Sequence, residues 1–142
     1  GPDDHDGLSL LKPYIEIRFL TGDKSGYNIS KKRVVDDMKF PLEVVSTVKR
    51  TEWISEHYDL NEVIYMGDGI FDHYVFKKIG YAIAPANANI VAKKHANYVT
   101  TNSGGNRAVA EACLHILEKF FEPYNPDELP KSGNKMSGEW KV

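Results

Sequence analysis

The chain alternates short apolar runs with helical patterns, and this alternation constrains its fold more than any other feature. Apolar segments of strand length precede stretches whose apolar positions recur three and four residues apart. Strands and helices in this order form a parallel sheet covered by helices on both faces. The sequence therefore predicts an α/β fold with a doubly wound, Rossmann-like parallel sheet. The expected strands are residues 15–20, 41–46, 63–66, 81–84 and 98–100, and the expected helices residues 27–38, 49–57, 71–79, 89–95 and 107–121.

Size and composition limit the classes of protein to consider. The chain has 142 residues, enough for one domain. Its net charge of −2 provides no overall field that would favour nucleic acid or an anionic membrane as a partner. The single cysteine, Cys113, cannot form an internal disulfide, and a reducing cytoplasm is the expected location. We expect a core at residues 3–121 and a tail at residues 122–142, where proline and glycine interrupt any regular period.

Polar residues follow the first three expected strands. Thr21 and Gly22 follow the first, Lys49 the second and Asp68 the third. In parallel α/β sheets, ligands bind beyond the carboxyl ends of the strands, so these residues should meet at one edge. A hydroxyl, an ammonium and a carboxylate together can hold a phosphoryl group and a metal ion.

The order of these residues is similar to the motifs of the haloacid dehalogenase superfamily of phosphatases. Residues 20–22 (Leu-Thr-Gly) resemble motif two, Lys49 resembles motif three, and residues 67–72 (Gly-Asp-Gly-Ile-Phe-Asp) resemble motif four. Residues 83–88, 98–101 and 104–111 follow the pattern of one branch, the 3-deoxy-D-manno-octulosonate 8-phosphate phosphatase group. The resemblance extends over residues 6–121.

The resemblance implies a role for each matching residue. Asp68 and Asp72 would supply carboxylates to Mg²⁺, a cation that prefers oxygen ligands. Thr21, Lys49 and Asp72 would be catalytic. Gly104 and its neighbours precede the last expected helix, whose amino terminus would attract an anion. The residues implied to bind phosphate or substrate are Thr21, Gly22, Lys49, Gly104, Gly105 and Asn106.

The implied reaction is magnesium-dependent hydrolysis of a small sugar phosphate, of the 3-deoxy-octulosonate or nonulosonate 8/9-phosphate type, through an aspartyl-phosphate. Members of this branch are small tetramers without a large cap domain, so a homotetramer whose neighbouring subunits close the site is implied. No nucleic acid or membrane partner is expected. One alternative is a catalytically inactive domain of the same fold, used for oligomerisation or regulation beside a sugar-activating enzyme. A receiver domain of two-component signalling is disfavoured, because its acidic residues precede its threonine and lysine.

Two assignments within the site have competitors. Arg50 lies next to Lys49, and the following helix is about one turn shorter than is usual in the family. We favour Lys49 because a compact ammonium suits a point contact with phosphate. The family's nucleophile belongs to an Asp-x-Asp motif at the end of a central first strand, which Asp4-His5-Asp6 imitates.

We interpret Asp4-His5-Asp6 as a decoy, since no apolar strand precedes it and too few residues separate it from Thr21. Asp6-Gly7 is better explained as the turn that opens the family's first helix. The central first strand is then missing from this sequence, which predicts two unpaired strand edges. For the tail, we expect docking near Gly104 and Gly105, with a disordered end as the alternative.

Overall fold

The computed structural model describes residues 2–22 and 40–130. The helix predicted at residues 27–38 lies outside them. No helix in the described part of the chain is long and apolar enough to cross a membrane. The helices and strands, in chain order, are α1 (Pro2–Leu11), β1 (Phe19–Thr21), β2 (Leu42–Val44), α2 (Arg50–His57), β3 (Ile64–Met66), α3 (Asp72–Phe76), β4 (Tyr81–Ala84), α4 (Ile90–His95), β5 (Tyr98–Val99) and α5 (Ala108–Phe120).

Within the described residues the expected strands and helices form, but several are shorter than predicted. Asp6 and Gly7, which were expected in a turn, lie inside helix α1. The first strand begins only at Phe19, whose N–H donates to the Pro41 carbonyl at 2.9 Å, and it includes Thr21, which we had expected in a loop. Residues 15–18 pair with no described strand, so they do not extend it. The helix predicted at residues 49–57 is preceded by a 3₁₀ turn (Thr47–Lys49) and begins at Arg50.

All strand pairs in the described part of the chain are parallel, which confirms the predicted α/β class. They form two separate sheets, one containing β1 and β2 and the other β3, β4 and β5. Phe19 pairs with Leu42 in the first sheet, and Ile64 pairs with Tyr81 in the second. Within the described residues, one edge of β1 and one edge of β3 therefore have no neighbouring strand.

Helices cover both faces of the strands, as a doubly wound fold requires. Successive side chains of a strand point to opposite faces, and β4 illustrates this alternation. Ile83 packs with α1 and α5 in one buried cluster, whereas Ala82 and Ala84 pack with α2, α3 and α4 in another. The first cluster is Leu8, Leu11, Phe40, Leu42, Ile83, Ala112, Cys113, Ile116 and Leu117. The second is Ile54, Tyr65, Val75, Phe76, Ala82, Ala84, Ala88 and Ala92.

Helices α1 and α5 pack closely at their amino-terminal halves. A Cβ on Gly7 would lie 2.9 Å from the Ala110 Cα, so only glycine permits this approach. The buried Asp4 carboxylate accepts a hydrogen bond from the Ala110 N–H at 3.0 Å. Asp4 thus lies within a helix and caps the first turn of another, and it is not at the carboxyl end of a strand.

A groove of about 350 Å³ lies between the two sheets. Leu20 of β1 contributes to one side, and Ile64 and Tyr65 of β3 contribute to the other. The Arg18 guanidinium lies 5.8 Å from the ring centre of Trp53, which also lines the groove. The groove is therefore bordered by the unpaired edges of both sheets.

The beginning of the predicted tail lies next to α1, with residues 122–129 exposed. The rings of Tyr14 and Phe121 are 5.0 Å apart, and a pocket there is lined by Leu10 and Tyr124 among others. Tyr124 also lines a second pocket of about 380 Å³ together with Asn102 and Arg107. Residues 131–142 lie outside the described residues.

Candidate active site

Arg50 lies where the loops after β1, β2 and β3 meet. Its Nε donates to the Val45 carbonyl at 3.0 Å, and its Nη1 donates to the Tyr65 hydroxyl at 2.8 Å. Its Nη2 lies 3.5 Å from the position that a Cβ on Gly22 would occupy. The guanidinium is held at two of its nitrogens, and only 12% of the side chain is exposed. Arg50 therefore connects the end of the two-stranded sheet with the three-stranded sheet.

Asp72 is buried beneath the loop that follows β3, with 4% of its surface exposed. Its Oδ1 accepts a hydrogen bond from the Tyr65 hydroxyl at 2.6 Å, and its Oδ2 accepts one from the Gly69 N–H at 2.8 Å. A Cβ on Gly67 would lie 2.5 Å from the Asp72 Cγ. The glycines at positions 67 and 69 therefore allow the loop to wrap around this carboxylate.

Tyr65 connects Arg50 and Asp72 through a single hydroxyl. Burial raises the pKa of Tyr65, and the charge of Asp72 raises it further, against the opposing effect of Arg50. The phenol is therefore neutral under ordinary conditions and keeps the proton that it donates to Asp72. Because a hydroxyl both donates and accepts, it satisfies both charged neighbours, which are themselves 3.7 Å apart.

Asp68 is the exposed carboxylate of the same loop. Its side chain is hydrogen-bonded to no described residue, whereas its backbone carbonyl accepts from the Asn89 N–H at 2.9 Å. No group of three or more histidine, cysteine or acidic side chains converges in the described part of the chain. Mg²⁺ commonly binds through one or two carboxylates and keeps several waters, so a single exposed aspartate at this edge fits that ion.

Lys49 lies one residue before Arg50 in a different environment. It ends the 3₁₀ turn, is exposed, and makes no hydrogen bond or ion pair with a described residue. Thr21 is half-buried at the end of β1, where its carbonyl accepts from the Val45 N–H at 2.9 Å. Of the two candidate cations, the structure therefore brings Arg50 into contact with the other site residues.

The loop before α5 is held by Glu111, which the sequence analysis did not single out. Its carboxylate accepts hydrogen bonds from the backbone N–H groups of Thr101 and Asn102, at 2.8 and 2.9 Å, and from the Tyr98 hydroxyl at 2.7 Å. Partial burial opposes ionisation, but the hydrogen bonds outweigh it and lower the pKa of Glu111 to about 2. An acidic residue in the first turn of a helix was the only available signal.

The predicted substrate loop (residues 104–106) lies beside the loop that follows β3. The Gly104 N–H donates to Asn87 Oδ1 at 2.6 Å, and Asn87 is two residues from Asn89, whose N–H binds the Asp68 carbonyl. Gly105 has a φ of 80°, which glycine adopts without strain, and Asn106 is exposed. The loops after β3, β4 and β5 thus form one continuous edge.

Comparison with known families agrees with this architecture. A model of haloacid dehalogenase-like hydrolases matches residues 48–112, which include Arg50, Asp68 and Asp72. The chain has the fold of the haloacid dehalogenase-like hydrolases. Within that class, it resembles the 3-deoxy-D-manno-octulosonate 8-phosphate phosphatases.

The resemblance appears in both sequence and structure. The chain is 31% identical over 124 residues to the 3-deoxy-D-manno-octulosonate 8-phosphate phosphatase of Salmonella typhi, an alignment covering 79% of this chain and 62% of that protein. The chain therefore spans about three fifths of the length of this relative. The structure of the Yersinia pestis enzyme of the same name aligns with a TM-score of 0.71 at 27% identity, over 83% of this chain and 65% of that one.

A third relative has been solved with bound ligands. It is the Moraxella catarrhalis 3-deoxy-D-manno-octulosonate 8-phosphate phosphatase, in complex with a magnesium ion, a phosphate ion and KDO. It aligns with a TM-score of 0.68 at 20% identity, over 99% of this chain and 76% of that chain. At this identity the comparison supports the fold alone.

Proposed function

We propose that this chain forms the phosphate- and metal-binding part of a magnesium-dependent phosphomonoester hydrolase. Its substrate would be a small sugar phosphate of the 3-deoxy-octulosonate or nonulosonate 8/9-phosphate type. The observation that carries the proposal is the meeting of three loops at one sheet edge, around Arg50, Tyr65 and Asp72. Their neighbours in these loops, Thr21 and Asp68, supply a hydroxyl and a free carboxylate at the ligand-binding edge of the sheet.

Each residue has a distinct task in this proposal. Asp68 would hold Mg²⁺, which when bound neutralises charge on the phosphoryl oxygens. Thr21 and the Gly22 N–H would bind these oxygens, and one of the two candidate cations, Lys49 or Arg50, would balance their charge. Asp72, whose two oxygens already accept hydrogen bonds, would support the metal loop from behind. Gly104, Gly105 and Asn106 would contact the sugar.

We further propose that the nucleophile is an aspartate on another strand, seated between β1 and β3. The unpaired edges of the two sheets and the groove between them support this arrangement. The aspartate would attack phosphorus as the bond to the sugar oxygen breaks, and the second aspartate of the Asp-x-Asp motif would give that oxygen a proton. The same residue would then take a proton from the water that hydrolyses the aspartyl-phosphate to inorganic phosphate. Asp4 is unsuited to this role because it is buried and bonded to the Ala110 N–H.

A neighbouring subunit would close the open site. Apolar side chains beside the Asp68 loop are exposed, with Ile70 at 57%, Phe71 at 47% and Tyr74 at 51%. Adjacent exposed apolar groups are typical of interaction surfaces, so we propose that they join copies of the protein into a tetramer. Phe71→Ser should shift the protein toward smaller species in light scattering. Leu129→Ser, which removes an isolated exposed side chain, should leave the mass unchanged.

The metal assignment is tested by Asp68→Ala in the natural full-length protein. Magnesium-dependent turnover of 3-deoxy-D-manno-octulosonate 8-phosphate should fall at least about a hundredfold, because the phosphate loses its bound counter-charge. The melting temperature should be unchanged, since the carboxylate is exposed and bonded to no described residue. Asp127→Asn, another exposed carboxylate, is the matched control. Undiminished turnover in Asp68→Ala would refute the assignment. Absence of turnover in the unaltered protein would favour the inactive domain instead.

A further inference from the structure

We infer that Arg50, and not Lys49, is the side chain that binds the phosphate oxygen, and that Tyr65 is the residue that positions it. The inference rests on the proposed function only in taking the bound anion to be a phosphoryl group. It assigns Arg50 a direct contact with the ligand. It assigns Tyr65 an indirect role, through the guanidinium and through the Asp72 carboxylate that supports the metal loop.

The first observation is the anchoring of the guanidinium. Nε is fixed by the Val45 carbonyl and Nη1 by the Tyr65 hydroxyl, so the plane of the group is set. The remaining nitrogen, Nη2, then lies near the backbone of Gly22, the residue that follows Thr21. A guanidinium that is already oriented loses little conformational freedom when it binds an oxyanion. The Lys49 ammonium is exposed and would have to be ordered by the ligand alone.

The second observation concerns the charge of the site. Arg50 Nη1 and Asp72 Oδ1 are 3.7 Å apart, so the two groups attract each other without a direct hydrogen bond. The Asp72 oxygens accept from the Tyr65 hydroxyl and the Gly69 N–H instead. Among the described residues, none accepts a hydrogen bond from Arg50 Nη2, so its hydrogens remain available for an external acceptor.

The third observation is the position of Tyr65 itself. It is 8% exposed in the middle of β3, and its ring packs edge-on against Phe76 at 5.9 Å. This packing fixes the ring, and the hydroxyl therefore lies between Arg50 and Asp72. Removing only this hydroxyl leaves both charged groups without a shared partner, yet keeps the apolar packing.

Binding of inorganic phosphate to the natural protein in the presence of Mg²⁺, followed by ³¹P NMR, tests the inference. Arg50→Ala should weaken binding about ten- to a hundredfold, because a hydrogen bond to a charged group is lost. Arg50→Lys should recover part of this loss through its charge. Lys49→Ala, which removes the rival cation, should change the affinity less than about twofold, as expected for an exposed charge. Tyr65→Phe should weaken binding about three- to tenfold.

Two controls separate positioning from stability. Tyr58→Phe removes another half-buried phenol hydroxyl, one that contacts Glu16 and Arg18, and should leave phosphate affinity unchanged. All affinities are measured well below the melting temperature of each variant, so a loss of stability alone does not alter them.

Three outcomes would overturn the inference. They are equal weakening by Lys49→Ala and Arg50→Ala, wild-type affinity in Tyr65→Phe, and no phosphate binding by the unaltered protein. Failure of the proposed function gives a different result. If the natural protein hydrolyses no phosphomonoester while phosphate binding still depends on Arg50, the hydrolase proposal fails and the Arg50 assignment stands.

Discussion

The Glu111 carboxylate accepts more hydrogen bonds than that of an exposed glutamate would. Its removal should therefore lower the free energy of unfolding. Glu111→Gln should lower the free energy of unfolding at neutral pH by about 1–3 kcal/mol, because a carboxylate that accepts from two backbone N–H groups is replaced by a neutral amide. Chemical denaturation measures this change. Glu118→Gln, an exposed change on the same helix, should alter the free energy by less than about 0.5 kcal/mol. A smaller effect for Glu111 than for Glu118 would contradict the role we give it.

The lowered pKa of Glu111 also predicts a pH dependence. The pKa is about 2 in the folded chain, compared with 4.5 for an ordinary glutamate. Between these values the unfolded chain binds the proton more readily, so the contribution of Glu111 is complete above about pH 4.5 and declines as the pH falls toward 2. The difference in unfolding free energy between the wild type and Glu111→Gln should therefore shrink below pH 4.5. A difference that stays constant down to pH 3 would exclude this linkage.

At the scale of single residues, the sequence predicted the edge at which the candidate residues lie better than which of two neighbouring cations contacts them. Thr21, Gly22 and Asp68 were expected because parallel strands end at a common edge. The choice between Lys49 and Arg50 depended on the 3₁₀ turn at Thr47–Lys49, in which successive side chains are rotated by about 120°. Apolar periodicity does not specify where such a short turn begins. Which of the two neighbouring residues, Lys49 or Arg50, faces the site could therefore not be predicted.

The contact between α1 and α5 allows a prediction at the scale of helices. Asp4→Ala should lower the free energy of unfolding by about 1–2 kcal/mol, because the Ala110 N–H in the first turn of α5 loses its cap. Asp3→Ala is the matched control. Its exposed ion pair with Arg107 should contribute less than about 1 kcal/mol.

Asp4→Ala should also leave the turnover of the natural protein unchanged when measured well below the melting temperature. A loss of turnover with preserved stability would show instead that the Asp4-His5-Asp6 segment takes part in catalysis.

The bounds of the strands and helices could be predicted only where they depend on residues nearby in the sequence. The strand at Tyr81–Ala84 was predicted with its observed bounds, because a buried apolar run ends at Pro85. The apolar spacing of α5 alone would place Phe120 in the core with Ile116 and Leu117, yet it is 44% exposed beside Tyr81 at the end of the helix. The first strand was placed too early, since its length depends on pairing with Leu42–Val44, which a local pattern does not specify.

At the scale of the whole molecule, the start of the tail suggests a further experiment. Tyr124 lines a pocket together with Asn102 and Arg107, next to the predicted substrate loop. Truncation of the natural protein after Phe121 should therefore change KM for the sugar phosphate by about threefold or more, and shift selectivity between substrates. Truncation after Pro130 retains Tyr124 and serves as the control. If the protein truncated after Phe121 and the intact enzyme have identical kinetics, the tail has a packing role only.

The class of fold and the covering of both faces followed from the alternation of strands and helices. The separation into two sheets was expected only as a pair of unpaired edges. The groove between the sheets is lined in part by Trp53 and Tyr58, aromatic side chains that the strand pattern does not place there. The lining of the groove could therefore not be predicted from the sequence.

The two hydrogen-bond partners of the Arg50 guanidinium come from different parts of the fold, one beside each sheet or within it. This has a consequence for how the protein folds. Val45 follows the two-stranded sheet, and Tyr65 belongs to the three-stranded one, so the guanidinium is oriented only when both sheets are correctly spaced. A segment that entered the groove and altered this spacing would also change the position of Arg50 relative to Gly22. Completion of the fold and readiness of the phosphate site would then be a single event, and a partly assembled protein would have little affinity for its substrate.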